Sequence, residues 1–381
     1  MISPQFFVEK LRAEGVEFYA GVPDSLLKSV CAYITDHTDE AHHVIAANEG
    51  GAVALAAGYH LATGRVGCVY MQNSGQGNAV NPLCSLTDRD VYHMPLLLVV
   101  GWRGRPGVHD EPQHVKQGKV TTGLLNTLGI DYTVLAREEA AAARQIEQAM
   151  ACIRRSGEAY AIVVEKDTFE PYTLACARPD SGTMSREEAV RIVASAMDGA
   201  DVAVSTTGMI SRELFEHRAA EGQGHGRDFL TVGSMGHASQ IALGIAMQQP
   251  GRRVWCLDGD GAAIMHMGGM AIVGQKSPGN YVHIVFNNGA HDSVGGQPTA
   301  GQCIDLVAIA RACRYRHAML AADEAALRSA VAEAKRAEGP VLVDVRVRRG
   351  NRKDLGRPTT TPAENKEALM AFLSDDSLCR G

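Results

Sequence analysis

No apolar run in this chain approaches the roughly 20 residues that cross a bilayer, and its opening, MISPQFFVEKL, lacks the apolar core of a secretory signal. No membrane role is therefore expected, and a cytoplasmic protein is. No lysine or arginine block stands out, and the net charge is −6, so neither a nucleic-acid surface nor an anionic-membrane surface is expected. The nine cysteines show no CxxC and no paired spacing. Their odd number argues against a disulfide framework and predicts reduced, buried thiols without chemistry. Low-complexity segments and an obvious internal repeat are also missing. What is present is 381 residues, 45% hydrophobic, with 40 glycines, enough for two α/β domains with separate cores. The partner class left by these exclusions is a small molecule.

The first half alternates helical and strand patterns. A helix from about Pro4 to Glu14 precedes VEFYAGVP, and a helix after Asp24 leads to HHVIAA. A helix near Glu49–Ala62 then leads to VGCVYMQ, MPLLLVVGW and finally YAIVVEK. Such alternation implies a parallel sheet wrapped by helices. Pro171, Pro179 and Gly182 interrupt the pattern before Ser185 and Glu188 open a helix with a capping-box spacing. Residues 1–175 are read as the first domain, 176–184 as a linker and 185–381 as the second domain. The second repeats the plan with VAVSTTG, FLTVGSMG, VWCLDGDG, YVHIVFNN and GPVLVDVRV, then a polar run ending in ENKEALMAFL. The fold class expected is α/β with two doubly wound parallel sheets.

Between Val254 and Asn288 a strand runs into Gly259, Asp260 and Gly261, a helical segment follows, and the next strand ends in Asn287 and Asn288. Glycines at a strand end let a diphosphate approach the backbone, and Asp260 with an asparagine supplies the hard oxygen ligands that Mg²⁺ takes. A nicotinamide fingerprint would need a third glycine where Ile264 stands, and an acid closing a following strand; both are missing. Upstream, Gly233, Ser234, Met235 and Gly236 lie between a strand and a small-residue helix, where glycine also permits close packing. Glu49 heads another small-residue helix, EGGAVALAAG, either as a functional carboxylate or as a helix N-terminal charge.

Strand, GDG, helix, strand and NN in one unit resembles the cofactor motif of the thiamine-diphosphate-dependent decarboxylases, and the resemblance covers nearly the whole chain. GVPDS, MQNSGQGNAVNPL, GWRGRPGVHDEPQH, NNGAHDSVGGQPT and LGRPTTTPAENK are similar to the phosphonopyruvate decarboxylase family, whose pattern the sulfopyruvate decarboxylases largely share. The resemblance implies a pyrimidine-binding first domain, a diphosphate- and Mg²⁺-binding second domain and no middle domain. It implies that Glu49 activates thiamine diphosphate by a hydrogen bond to its pyrimidine ring. The Gly233 carbonyl, Ser234 and the wedge Met235 would cradle that ring. Gly208, Met209, Gly259, Gly261 and Ala262 would take the diphosphate, and Asp260, Asn288 and the carbonyl of Ala290 would hold Mg²⁺. Because Glu49 and the diphosphate motif lie in different domains, a homodimer or higher homo-oligomer is implied, with active sites at subunit interfaces.

The remaining candidates point to an anionic 2-oxo acid. Asp24, beside Ser25, is either an acid that handles protons or repels the departing carboxylate, or an Asx-turn residue. Arg103 and Arg105 suit a phosphonate dianion. His109, Asp110, Gln113 and His114 follow in the same loop, and two histidines beside an acid are candidates for proton handling. His291, a further candidate for proton handling, and Ser293 follow the asparagines directly, while Ser74, Gln76 and Asn78 come after a strand end, where α/β folds place ligands.

Overall fold

The computed structural model describes residues 1–175 and 182–375. By internal contacts the chain divides into two compact units, Met1–Arg178 with His291–Pro298, and Pro179–Ala290 with Thr299–Gly381. Of the segment read as a linker, residues 176–181 lie outside the described residues, and Met184 forms a parallel bridge with Val347.

The first unit contains β1 (Tyr19–Gly21), β2 (His43–Ile45), β3 (Gly67–Gln72), β4 (Leu96–Gly101), β5 (Asp131–Val134) and β6 (Tyr160–Val164). All its neighbouring strands are parallel, in the order β2-β1-β3-β4-β6-β5. The second contains β7 (Val202–Ser205), β8 (Asp228–Leu230), β9 (Val254–Gly259), β10 (Tyr281–Asn287), β11 (His317–Ala321) and β12 (Val341–Arg346). These too are all parallel, in the order β11-β12-β10-β9-β7-β8. Counted within its own unit, each sheet has the strand order 2-1-3-4-6-5. The likeness extends to the edges of the pattern. Ile2 bridges Phe169 just before the helix capped by Ser3, as Met184 bridges Val347 just before the helix capped by Ser185. The expected α/β fold, two doubly wound parallel sheets without a middle domain, is the one the chain adopts.

Strands buried on both faces read as largely apolar runs, and the central strands do, with Asp258, His283 and Asp344 as buried polar exceptions in the second sheet. On the first sheet Tyr19, Tyr70, Leu97 and Val99 point into one core while Val69, Met71, Leu98 and Val100 point into another. The second sheet repeats this with Trp255, Leu257, Ile284 and Val343 against Cys256, Tyr281, Val285 and Leu342. Leu98 is almost fully buried, and truncating such a leucine to alanine costs about 2–5 kcal/mol. Helix starts are fixed by side-chain caps where the sequence offers them. Ser185 and Glu188 form the expected capping box, and Asn48 accepts from the Gly51 N–H at 2.8 Å, which starts Glu49–Thr63 at Glu49.

The sequence reading had no place for β5 and β11. Both are edge strands with half-exposed residues, so neither carries an unbroken apolar run. The expectation of buried thiols is corrected in part: Cys31, Cys68 and Cys256 are buried in strands and helices, but Cys84, in the short helical segment Leu83–Thr87, and Cys303, in a turn, are exposed. No disulfide occurs among the described residues, whose cysteines are free. No helix there is long and apolar enough to cross a membrane.

Candidate active site

In each sheet the chain leaves its first strand toward one edge and its third strand toward the other, so a crevice opens at the carboxyl ends between them. Doubly wound folds bind ligands at this switch point. In the first unit it lies between the ends of β1 and β3, where Asp24 and the segment Asn73–Asn78 begin.

Asp24 is fully buried. Its Oδ1 accepts from Gln72 Nε2 at 2.6 Å and its Oδ2 from the Leu26 N–H at 3.0 Å. Burial pushes its carboxyl above the ordinary range, against those hydrogen bonds and the charge of Arg103. The Leu26 bond is the Asx-turn the sequence allowed, and it coexists with the raised acid. Ser74, exposed, donates to Gln72 Oε1 at 2.8 Å, so Ser74, Gln72 and Asp24 form a continuous polar chain.

Arg103 is held on three sides. Its Nη1 donates to Ser25 Oγ at 2.6 Å, and its Nε and Nη2 grip both oxygens of Asp110. Although burial works the other way, this guanidinium and the Gly104 N–H keep Asp110 below the ordinary carboxylate range. His114 is buried beside the pair, and burial with the Arg103 charge pushes its imidazole down to about 4. Its Nδ1 and the Oε1 of Gln113 are buried without a hydrogen-bond partner. Arg105 instead ion-pairs with Glu165 at 2.9 Å, with its guanidinium over Trp102, and His109 is exposed. Gln76 is buried, its Nε2 3.4 Å from the Thr121 carbonyl. The structure thus links Asp24, Ser25, Ser74, Arg103 and Asp110 in one hydrogen-bonded group and leaves His109 and Arg105 out of it.

Glu49 is buried, and its Oε2 accepts from Asn78 Nδ2 at 2.7 Å. Among the described residues this neutral amide is the side-chain donor to Glu49, and its other oxygen faces a ligand donor in the proposed reading.

In the second unit the switch point lies between β7 and β9. Gly208 caps the helix Met209–Ala220 without any side-chain hydrogen bond to its first turn, so the N–H groups there are open to an anion. Thr207 Oγ1 accepts from the Gly233 N–H at 3.2 Å and so ties the loop after β7 to the one after β8. In that second loop Ser234 is exposed and Met235 half-buried, and Gly236 packs so tightly on the turn Ala262–His266 that a Cβ would strike His266.

Asp260 follows β9, with Gly259 before it and Gly261 and buried Ala262 after. Its carboxylate accepts from the Thr299 hydroxyl. Burial raises it to about 6, against that bond and the backbone N–H groups of Gly261, Asp260 and Asn288. Asn288 Oδ1 accepts from the Ala290 N–H at 3.0 Å, and fully buried Asn287 keeps an Oδ1 without a partner. Two buried amides and a buried carboxylate, with no cationic side chain among Asp260's partners, are the donor set a hard divalent cation takes. Among the described residues His291 makes backbone bonds within its turn, burial pushes its imidazole down to about 4, and Ser293 is exposed.

One arrangement recurs at all three acids. A Cβ at Gly75 would overlap the Glu49 carboxylate, one at Gly101 the Asp24 carboxylate, and one at Gly301 the Asp260 carboxylate. Each acid occupies the volume that a glycine leaves. Sequence reasoning missed these glycines, and with them Gln72 and Thr299. Only the general expectation that α/β strand ends carry ligands could have found Gln72. Thr299 closes the stretch NNGAHDSVGGQPT, but nothing in that stretch ties its hydroxyl to Asp260, and Gly301 lies beyond it.

Residues 4–125 match the thiamine pyrophosphate enzyme N-terminal TPP-binding domain, and residues 206–345 match the thiamine pyrophosphate enzyme C-terminal TPP-binding domain. A phosphonopyruvate decarboxylase of Streptomyces viridochromogenes is 35% identical over 98% of this chain and 96% of its own length. One of Streptomyces hygroscopicus is 34% identical over 98% and 95%. A sulfopyruvate decarboxylase of Methanosarcina acetivorans is 26% identical over 80% and 81%.

Proposed function

The chain belongs to the thiamine pyrophosphate enzymes, within the phosphonopyruvate decarboxylase family, and is a carboxy-lyase; on that premise we propose that it converts 3-phosphonopyruvate to phosphonoacetaldehyde and CO₂ with thiamine diphosphate and Mg²⁺. The observation that carries the metal part is the buried oxygen set of Asp260 and Asn288 beside an uncapped helix N-terminus at Met209. In this reading the first domain binds the pyrimidine ring and the second the diphosphate. Asp260, Asn288 and the Ala290 carbonyl hold the metal, the N–H groups of Gly208 and Met209 take phosphate oxygens, and the Gly233 carbonyl with Met235 seats the ring.

Thiamine diphosphate, when bound, supplies the electron sink that lets CO₂ leave a 2-oxo acid. The chain's own residues do the rest. Glu49 offers Oε1 to the pyrimidine while Asn78 holds Oε2. Asp24, whose carboxyl burial keeps above the usual range, holds a proton nearer neutrality than an exposed acid would and can deliver it toward the aldehyde carbon. Arg103, fixed by Asp110 and Ser25, presents a positive charge to the phosphonate. His114, neutral above its depressed value, supports this site without adding charge.

Glu49 and the diphosphate loops come from different domains, and the reading assembles each active site from two subunits of a homo-oligomer. In support, the Glu49 helix leaves Gly51, Ala54, Leu55, Gly58 and Leu61 exposed, an apolar stripe beside the open groove of Phe18, Val44 and Tyr59. Apolar stripes of this kind mark interaction surfaces. The test is CO₂ and aldehyde release from phosphonopyruvate and, in parallel, from sulfopyruvate, with and without thiamine diphosphate and Mg²⁺. Cofactor-dependent release favouring the phosphonate acid is expected. Preference for sulfopyruvate would reassign the substrate, and CO₂ release without aldehyde would indicate carboligation.

A further inference from the structure

Asp260 carries a carboxylate with two oxygens, and a metal ligand must present one of them in a fixed direction. The loop Thr299–Gly301 does something specific to the other. The Thr299 hydroxyl donates to Asp260 Oδ2 and its oxygen accepts from the Gly301 N–H at 3.1 Å, so both functions of the hydroxyl are used. The loop itself is anchored twice: the Thr299 N–H donates to the Gly289 carbonyl at 3.0 Å, and Asn287 Nδ2 to the Gly301 carbonyl at 2.7 Å. Asn287 lies at the end of β10, so the loop is referenced to the sheet that carries the other oxygen donors. Gly301 leaves the volume that Asp260 fills. Thr299 and Asp260 are both buried, where water is a poor substitute for a lost donor.

We propose that Thr299 is the positioning residue of the metal site: its hydroxyl, held by the Asn287–Gly301 anchor, pins Oδ2 of Asp260 and leaves Oδ1 aimed at the cation. This rests on the reading that Asp260 ligates Mg²⁺. A partner that orients a metal-binding group in this way is worth about 10–100-fold in metal affinity. Both functions of the hydroxyl are used inside the protein, so its loss should act through Asp260.

The experiment is calorimetric titration of Mg²⁺ into the full-length protein saturated with thiamine diphosphate, comparing wild type, Thr299→Val, Thr299→Ser and Asp260→Ala, with melting curves of each. Thr299→Val removes the donor at nearly constant volume and should weaken Mg²⁺ about 10–100-fold, with kcat recovering in excess Mg²⁺ and the substrate KM unchanged. Thr299→Ser keeps the donor and should stay near wild type. If Thr299→Val melts below the assay temperature, Thr299→Ala carries the same comparison. Wild-type Mg²⁺ affinity in the valine or alanine variant, with binding lost in Asp260→Ala, overturns the proposal and leaves the metal reading standing. Wild-type affinity in Asp260→Ala overturns the metal reading itself.

Discussion

After the first strand of each sheet the chain turns into a helix. In the first unit that turn is Val22, Pro23, Asp24 and Ser25; in the second it is Thr206, Thr207, Gly208 and Met209. After the second strand one unit offers Glu49 and the other Gly233–Gly236. After the third strand the contrast reverses, with the amides of Gln72, Asn73 and Asn78 in the first unit and Asp260 in the second. One strand order therefore presents acids at different stations of equivalent crevices, one in each unit. In the first unit amide side chains steady two carboxylates and leave them to exchange or attract a proton. In the second a hydroxyl and backbone N–H groups steady one carboxylate among oxygen donors, a setting for a cation and a diphosphate. The lesson is that topology fixes where a ligand meets the sheet, and, in the reading proposed above, the loop residues decide whether it meets a proton site or a metal site.

This division can be broken experimentally. Glu49→Gln should lower kcat by about 10²–10⁴-fold while leaving Mg²⁺ affinity at the wild-type value, because an acid–base role is lost and no oxygen donor of the second unit is touched. Steady-state kinetics paired with Mg²⁺ titration would show it; a parallel loss of metal affinity would mean the two units do not divide the work. Asp260→Asn keeps the shape but removes the charge, and should weaken Mg²⁺ by at least about 100-fold with activity returning as Mg²⁺ is raised. An activity loss that excess Mg²⁺ leaves untouched would assign Asp260 to something other than the cation.

The smallest effect concerns His114, whose folded value of about 4 lies below its ordinary 6.5. The unfolded chain binds the proton first, so the stability from keeping this imidazole neutral is complete above pH 6.5 and drains as the pH falls toward 4. His114→Asn should flatten that part of the stability profile, reducing the loss between pH 7 and 4.5 by about 2 kcal/mol. Denaturant unfolding at both pH values measures it, and superimposable slopes for the two proteins would remove His114 as a buried neutral group.

Much of this was legible in the sequence because it has a local signature. Strands buried on both faces read as apolar runs, and VWCLDGDG and YVHIVFNN announced β9 and β10 together with their donors. The edge strands β5 and β11 were not legible, since half-exposed residues such as Asp131 and His317 break the run. The site followed the same division. Glu49, Asp260 and Asn288 carry a chemical reading in their own motifs, whereas Gln72, Gly75, Gly101 and Thr299, though they lie in quoted stretches, gain meaning only when distant loops meet. Arg103 and Arg105 looked equivalent in GWRGRPG, and only the fold gives one of them Asp110 and Ser25 and the other Glu165. The shared strand order was likewise invisible, because a topology can be kept by burial pattern alone while every side chain changes.

The glycines that face Glu49, Asp24 and Asp260 make each acid half of an inherited couple. Any amino-acid substitution at Gly75, Gly101 or Gly301 adds at least a methyl group where a carboxylate already lies, so neutral drift is closed at positions that carry no chemistry. In a saturation library screened for turnover, intolerance would thus mark six positions for these three acids. A lineage that relocated one of the acids would first have to release its glycine.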